Sequence, residues 1–371
     1  MGNTGNRLVV VGQIENARGS SGADWIDGSE LNNRILGEGG NDTLNGDAGN
    51  DVIYGGTGAD SMSGSYGADR LFGEGGNDTI SGGDDSDTIS GGAGADSLSG
   101  GANLTDWVSY AGSDAAVNVT FTFGTTTTGR GGHAAGDQLN GFNNILGSDF
   151  GDQLRDSVEG AVGGNYNANI FDGAGGNDDL FMGGANDTAY GGMGFDYIAG
   201  QNGNDRLFGG GNGDRIYGGA GADFMVGGEG NDMLFANEDN DRLFGGVGDD
   251  VLHGAAGRDR LQGDAGADRF IFLKADESTV LSTGRDVIVD FNRAEGDRIG
   301  LAQIDANGAA DGFGSFTFVT VFTGQAGQLR VADTADGQRV LADLNGDRIS
   351  DFAIDVLGNG RPMLIESDFN L

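Results

Sequence analysis

The chain has 371 residues, of which 77 are Gly, and its 57 acidic residues against 20 Lys and Arg give a formal charge of −37. This charge repels phosphate backbones and anionic bilayers, so we expect no nucleic-acid partner and no membrane insertion. With one Pro, no Cys and no apolar run near the roughly 18 residues of a membrane helix, the sequence excludes collagen, disulfide scaffolds and helical membrane proteins.

Residues 1–18 precede the first repeated segment, and we expect them to form an N-terminal cap. Their apolar run, Leu8 to Val11, is shorter than the core of about 7 to 15 apolar residues in a secretory signal peptide. The sequence therefore shows no N-terminal export signal.

Residues 19–99 repeat with a period of nine, as in GEGGNDTLN at 37–45 and GGTGADSMS at 55–63. The sixth place is acidic in all units but one, and the eighth is Ile, Leu or Met. The sixth-place residues are candidate metal ligands: Asp24, Asn33, Asp42, Asp51, Asp60, Asp69, Asp78, Asp87 and Asp96.

A second repeat block is predicted over 164–271. A degenerate unit places Asn169 and Phe171 at the two key positions, and regular nonapeptides then run from Gly173 to Ile271. Their sixth places are all Asp and are also candidate metal ligands: Asp178, Asp187, Asp196, Asp205, Asp214, Asp223, Asp232, Asp241, Asp250, Asp259 and Asp268.

The nonapeptide predicts a short strand and a tight turn in every unit. An x-U-x run, where U is apolar, sends one side chain into a core and its neighbours outward, and the preceding G-G-x-G-x-D reverses the chain. Two units complete one loop of a flattened coil, so residues 18 apart stack at about 4.8 Å. Asp42, Asp60 and Asp78 would then form a file of carboxylates along one edge.

Such a file of like charges repels itself unless cations lie between its members. Lys274 is the only lysine, and the arginines mostly follow the Asp directly, where they point to the opposite strand face. Calcium accepts six to eight oxygens in flexible geometry, whereas the absence of Cys and the presence of only two His disfavour zinc and copper.

The units resemble the G-G-x-G-x-D-x-U-x calcium repeats of RTX (repeats-in-toxin) proteins. One ion between members 18 apart would give up to about 16 Ca²⁺ ions. We expect weak or missing calcium at three departures: the unit at 28–36 with Asn33, the unit at 236–244 without its turn glycines, and Ala189, a small core residue.

Residues 100–163 lack the repeat and are predicted to form a β spacer. Its aromatic residues Trp107 and Tyr110 are expected in a core. Its end, with Ser148 and Asp152, repeats the spacing of Ser20 and Asp24, so both segments are interpreted as caps that begin a repeat block.

Residues 272–371 have less glycine and longer alternating runs, which predict an antiparallel β cap. GRDVIVDF at 284–291 and DLNGDRISDF at 343–352 resemble the C-terminal region of serralysin-type secreted metalloproteases. That resemblance implies type I secretion with an uncleaved C-terminal signal, here Asp368, Phe369, Asn370 and Leu371.

A further calcium loop is considered at Asp343, Asn345, Asp347 and Asp351, whose oxygens alternate along the chain. An Asx-rich turn explains this spacing equally well, since the loop lacks the bidentate Glu of an EF-hand.

The sequence predicts an all-β protein of two parallel β-rolls with a β spacer and a C-terminal antiparallel β cap. No H-E-x-x-H motif is present, and we expect no enzymatic activity. The hypothesis is a secreted, calcium-binding structural protein that folds on export and serves in a surface layer, extracellular matrix or adhesion. Its expected partners are the type I secretion machinery and further copies of itself or a cell-surface glycan. The alternative is an accessory or carrier module of a type I-secreted hydrolase or toxin.

Overall fold

The computed structural model describes residues 7–9, 16–101, 105–121, 126–156, 167–306, 315–357 and 363–371. Most of the predicted N-terminal cap and the spacer residues 157–163 lie outside these ranges. The chain divides into two compact units, residues 1–184 and 185–371. The predicted division into five segments stays a prediction.

The first unit is a coil whose successive strands alternate between facing sheets. One sheet contains β1 (Arg7–Val9), β3 (Trp25–Ser29), β5 (Thr43–Asp47), β7 (Ser61–Tyr66), β9 (Thr79–Asp84), β11 (Ser97–Gly101), β15 (Gln138–Asn140) and β14 (Thr127–Thr128). The second contains β2 (Asn16–Arg18), β4 (Arg34–Leu36), β6 (Val52–Thr57), β8 (Arg70–Gly75), β10 (Thr88–Ser90), β12 (Trp107–Ser109), β16 (Asn144–Leu146) and β18 (Ile170–Asp172). Three further strands pair with one another: β13 (Asn118–Phe121), β17 (Gln153–Asp156) and β19 (Asp179–Phe181).

The second unit has the same alternation. One row of parallel strands contains β20 (Thr188–Met193), β22 (Arg206–Gly211), β24 (Phe224–Glu229), β26 (Arg242–Val247), β28 (Arg260–Ala265) and β30 (Val287–Ile288). The other contains β21 (Tyr197–Asn202), β23 (Arg215–Ala220), β25 (Met233–Glu238), β27 (Val251–Ala256), β29 (Arg269–Ile271), β31 (Arg298–Gly300) and β36 (Phe369–Asn370).

Within the repeat blocks, paired residues of neighbouring strands are 18 residues apart, as the period of nine predicts. Leu44 lies opposite Met62, and Met62 opposite Ile80, in parallel pairs. Every eighth-place side chain is buried, with Ile53, Leu71 and Leu243 fully inaccessible. Each coil therefore encloses a narrow core with one apolar residue from each strand.

The second and fourth places of the unit differ in how strictly their backbone angles require glycine. At the fourth place the backbone has a positive φ beyond 100° in many units, as at Gly58 (133°) and Gly76 (138°), which only glycine adopts readily. At the second place Glu38 and Glu74 have φ angles of 76° and 69°, in the left-handed region that some non-glycine residues adopt, whereas glycines at this place have larger angles, as at Gly56 (106°). This is why the second glycine of the unit is replaced more freely than the fourth.

The spacer strands continue the first coil. β12 pairs in parallel with β10, and β15 with β11, with Val108 opposite Ile89 and Leu139 opposite Leu98. Tyr110 is 1% exposed, as predicted, whereas Trp107, which was also expected in the core, is only half-buried. The coil therefore tolerates loops of different lengths between strands that keep the D-x-U pattern.

The C-terminal cap contains three antiparallel strands, β33 (Gln328–Asp333), β34 (Gly337–Asp343) and β35 (Phe352–Leu357), and the short β32 (Thr317–Phe318). β35 also pairs in parallel with β30, which joins the cap to the coil. The predicted all-β fold of parallel β-rolls with an antiparallel cap is confirmed. Helical structure in the described ranges is limited to the 3₁₀ turns Gly132–Ala134 and Glu366–Asp368, and no helix there could cross a bilayer.

Replacing a core residue tests the coil directly. We expect Leu71→Ala to lower the free energy of unfolding by about 2 to 5 kcal/mol, because the closed turn cannot collapse around the cavity. Urea denaturation in calcium measures this, with Ser97→Ala on the exposed face as the control. A loss of less than about 1 kcal/mol for Leu71→Ala would contradict the packing described.

Candidate metal centre

The sixth-place carboxylates form files in which each residue is hydrogen-bonded to the next turn. The backbone N–H of Asp42 donates to Oδ1 of Asp60 over 2.7 Å, and that of Asp60 to Oδ1 of Asp78 over 2.8 Å. In the second unit Asp214 donates in the same way to Asp232, and Asp232 to Asp250. All these residues are buried.

The other carboxylate oxygen of these residues has no hydrogen-bond donor within the described part of the chain. A buried polar atom without a partner costs about 1 to 3 kcal/mol, and more when it is charged. This Oδ2 atom is buried and unsatisfied in Asp42, Asp51, Asp60, Asp69, Asp78, Asp87, Asp96, Asp106, Asp205, Asp214, Asp223, Asp232, Asp241, Asp250, Asp259, Asp268 and Asp286.

The first glycine of each unit leaves a space that oxygens surround. A Cβ atom placed on Gly55 would lie 2.5 Å from Oδ2 of Asp60 and 2.9 Å from the carbonyl oxygen of Gly73. The first distance lies within the range of about 2.3 to 2.6 Å for calcium–oxygen bonds, and the second is slightly longer. Glycine at this place keeps a carboxylate and a carbonyl oxygen accessible to a small cation.

The donor set fits calcium. In the ranges that the structure describes, no three acidic or imidazole side chains converge on one point. A cation here would therefore take one or two carboxylate oxygens from neighbouring turns and the remainder from backbone carbonyls or water. Calcium accepts such mixed oxygen ligands in irregular numbers.

Burial raises the pKa of the file carboxylates, and neighbouring aspartates add to the shift. The pKa of Asp69 is raised to about 7, mainly by loss of hydration and then by Asp51 and Asp87. The pKa values of Asp214 and Asp241 are raised to about 8 for the same two reasons. Without a cation these groups therefore retain protons near neutral pH.

The first members of the files are capped by protein groups. Oδ2 of Asp24 accepts hydrogen bonds from the Ser20 N–H (2.6 Å) and hydroxyl (2.8 Å). Oδ2 of Asp152 accepts one from the Ser148 N–H (2.6 Å), and the Ser148 hydroxyl donates to Oδ1. The two segments predicted to begin repeat blocks therefore share a serine cap that takes the place of a cation.

The files also extend into residues that repeat counting missed. Asp87 donates its N–H to Asp106, Asp96 to Asp137, Asp259 to Asp286 and Asp268 to Asp297, over 2.9 to 3.1 Å. The local signal was present as the D-x-U pattern in DWVS, DQLN, DVIV and DRIG, without the glycine-rich turn. The Tyr110 hydroxyl donates to Oδ2 of Asp137 over 3.1 Å and caps that file.

The remaining predicted ligands occupy corresponding positions. Asp178 is buried and accepts the N–H of Asp152 (2.6 Å), while Asp187 and Asp196 are buried and donate to Asp205 and Asp214. The calcium assignment for all the predicted residues stays a prediction.

The three expected weak positions differ from one another. At Asn33, Oδ1 accepts the Ser29 N–H and Nδ2 donates to the Ser29 hydroxyl, so this side chain is satisfied without a metal. In the unit 236–244, Asn237 and Asp239 supply the positive φ angles, and Asp241 keeps an unsatisfied Oδ2. Ala189 is fully buried.

The loop at 343–351 is an Asx-rich turn that satisfies its own oxygens. Asp343 accepts the N–H groups of Gly346 and Arg348, and Asp351 accepts that of Leu344. Asn345 and Asp347 each accept an N–H two residues onward. These bonds favour the turn interpretation over a calcium loop.

The predicted secretion signal is folded into the second unit. Asp368 is buried, where it accepts hydrogen bonds from Arg293 and the Ile365 N–H, and Phe369 is buried in β36. Asn370 belongs to the same strand, and Leu371 follows it.

Comparison with known proteins gives one family. The model of the RTX calcium-binding nonapeptide repeat (4 copies) matches residues 18–103 and 182–270 in overlapping segments. No curated protein sequence matches the chain.

Two solved structures are similar in part. The R3 subunit of the Azotobacter vinelandii mannuronan C5-epimerase is 26% identical over 43% of this chain and 79% of that chain, with a TM-score of 0.22. A hyperactive, Ca²⁺-dependent, β-helical antifreeze protein from an Antarctic bacterium is 20% identical over 77% of this chain and 88% of that chain, with a TM-score of 0.26. At such TM-scores neither likeness bears on the function of this chain.

The raised carboxyl pKa values predict an unusual pH dependence for the metal-free chain. These groups ionise near pH 3.8 when unfolded but near 6 to 8 when folded, so the folded state holds more protons between those values. Stability without calcium is therefore greatest below pH 4 and is lost as the pH rises through 6 to 8. Far-UV circular dichroism of calcium-stripped protein should show more β structure at pH 5 than at pH 8. More β structure at pH 8 would contradict the prediction.

Two alanine substitutions in one turn test the oxygen-lined space. The added Cβ of Gly73→Ala would overlap Oδ2 of Asp78 and the carbonyl oxygen of Gly91, whereas that of Gly75→Ala would come no closer than 4.0 Å to the Gly56 carbonyl oxygen. We expect Gly73→Ala to raise the calcium concentration at the folding midpoint at least about twofold, and Gly75→Ala to leave it nearly unchanged. Equal midpoints for the two variants would count against the site.

Proposed function

Because residues 18–103 and 182–270 belong to the RTX calcium-binding nonapeptide repeat family, we propose that calcium completes the fold of this protein outside the cell. The observation that carries the proposal is the row of buried Oδ2 atoms without donors, which a cation would satisfy. The ions would be held by the file aspartates and by the carbonyls of the glycine turns. Calcium would supply the positive charge that the chain lacks at these positions.

Mass action places this folding step outside the cell. With a dissociation constant of about 10⁻⁴ M and about 1 mM calcium, each site adds roughly 1.4 kcal/mol. At cytosolic calcium the same contribution is nearly zero, and the acidic, glycine-rich chain would not hold its files together. Export by a type I system through residues 368–371 is consistent with this order of events.

The role that we propose for the folded protein is structural, in a surface layer, extracellular matrix or adhesion. Two observations support it: the turns of the repeat blocks stack in one constant register, and apolar side chains project from the second unit. Tyr190 and Met193 are 42% and 66% exposed, which suits contact with another copy or with a surface.

A calcium titration tests this function. Purified protein stripped of calcium should change from coil to β structure cooperatively between roughly 0.1 and a few mM calcium, as seen by far-UV circular dichroism. Magnesium is the control and should not substitute, because it requires a smaller, octahedral site. Light scattering recorded in parallel should rise if the folded protein assembles.

Two results would argue against the proposal. If the calcium-stripped chain is already folded at pH 8 and does not respond to calcium, the proposal that folding depends on calcium is wrong. If the chain folds on addition of calcium but light scattering does not increase and the protein is not retained on cell surfaces, the calcium-dependent fold is supported and the structural role is contradicted.

A further inference from the structure

The second unit contains an open cavity of about 560 Å³ on the outer side of strands β26 and β28. Its lining includes three arginines, Arg242, Arg258 and Arg260, and the hydroxyl residues Ser282 and Thr283 from the following loop. A concentration of three guanidinium groups is unexpected in a chain with only 20 basic residues and a formal charge of −37.

The three arginines are grouped although none of them is in salt-bridge contact with an acidic side chain in the described part of the chain. By contrast, Arg285, Arg293 and Arg339 elsewhere in this unit each form an ion pair. Arg242 and Arg260 also lie directly opposite each other in the parallel register, at a strand spacing of about 4.8 Å. Like charges in directly opposite positions destabilise a sheet unless a counter-charge lies between them.

We propose that this cavity binds the carboxylate or sulfate group of an acidic saccharide. Guanidinium groups bind such planar or tetrahedral anions through paired N–H donors, which lysine cannot do as well. The cavity is much larger than a bare anion and has the size of sites that enclose a small organic ligand. Asn240, Ser282 and Thr283 add amide and hydroxyl groups that match the hydroxyls of a sugar.

The charge around the cavity selects against more densely charged ligands. Nucleic acids and polyphosphates bring a negative charge at each unit and would be repelled by the rest of the molecule. A saccharide with one acidic group in every second residue brings fewer charges and more hydroxyls. It is therefore the anion that this lining fits best.

This inference rests on the proposed function in one respect, because Asp241 and Asp259 also line the cavity. Calcium bound in the file would hold the two turns that carry these carboxylates, and with them the three arginines, in their folded positions. Anion binding should consequently require the calcium-loaded protein.

Isothermal titration calorimetry tests the proposal with full-length protein at a calcium concentration where circular dichroism shows complete folding. The probes are a tetrasaccharide containing glucuronate in alternate residues, neutral cellotetraose and sodium sulfate, each also titrated into buffer with calcium but no protein. We expect the acidic tetrasaccharide to bind and cellotetraose not to bind. Arg242→Gln and Arg258→Gln should each weaken the binding about 10-fold or more.

Arg206→Gln is the matched control, since Arg206 has the same seventh place on the same row of strands but lies outside the cavity lining. It should leave the affinity within about twofold. An equal loss in Arg206→Gln would overturn the proposal in favour of diffuse electrostatic attraction. Failure of the tetrasaccharide to bind the folded protein, or binding of sulfate alone, would overturn the saccharide as ligand. The circular dichroism control reads out calcium-dependent folding separately from each of these results.

Discussion

The hydrogen bond from a sixth-place N–H to Oδ1 of the aspartate in the next turn, 18 residues later within a repeat block, is the interaction on which the rest of the structure depends. It holds consecutive turns at one spacing and places the carboxylate in the interior of the turn, as Asp60 and Asp78 show. The same bond uses only one of the two carboxylate oxygens. The other is left buried, so the fold that the bond creates is complete only when a cation or a capping donor supplies the missing charge or hydrogen.

The coil follows from the sequence because its determinants are local and repeated. One apolar residue in nine, at Leu44, Met62 and Ile80, specifies a strand with one core position, and the fixed period specifies the register. The antiparallel cap was predicted from the alternating runs at 286–291 and 316–322, but these contain the parallel-paired strands β30 and β32, and the antiparallel strands are β33 to β35. A single misplaced unit would have broken the pattern, so each repeat strengthens the interpretation of its neighbours.

The ends of the carboxylate files could not be predicted in the same way. Asp137 and Asp286 follow the preceding members of their files by 41 and 27 residues, whereas the repeat predicts a spacing of 18. The Tyr110 cap on Asp137 depends on how the intervening loop closes, which is a tertiary property. The arginine-lined cavity is likewise assembled from two stacked repeat units and from the segment 282–287 that follows them, and only the repeat units have a periodic signal.

The serine caps and the extended files give each coil a polarity. At the N-terminal side, Ser20 closes the file that begins at Asp24 with groups from its own turn. At the other side, the N–H groups of Asp87 and Asp96 need acceptors that only residues beyond the repeat block provide. A repeat block is thus an incomplete module by itself, and an engineered array built from these units would need the downstream segment as its terminator, while a G-S-x-x-x-D turn would close one file at its leading end.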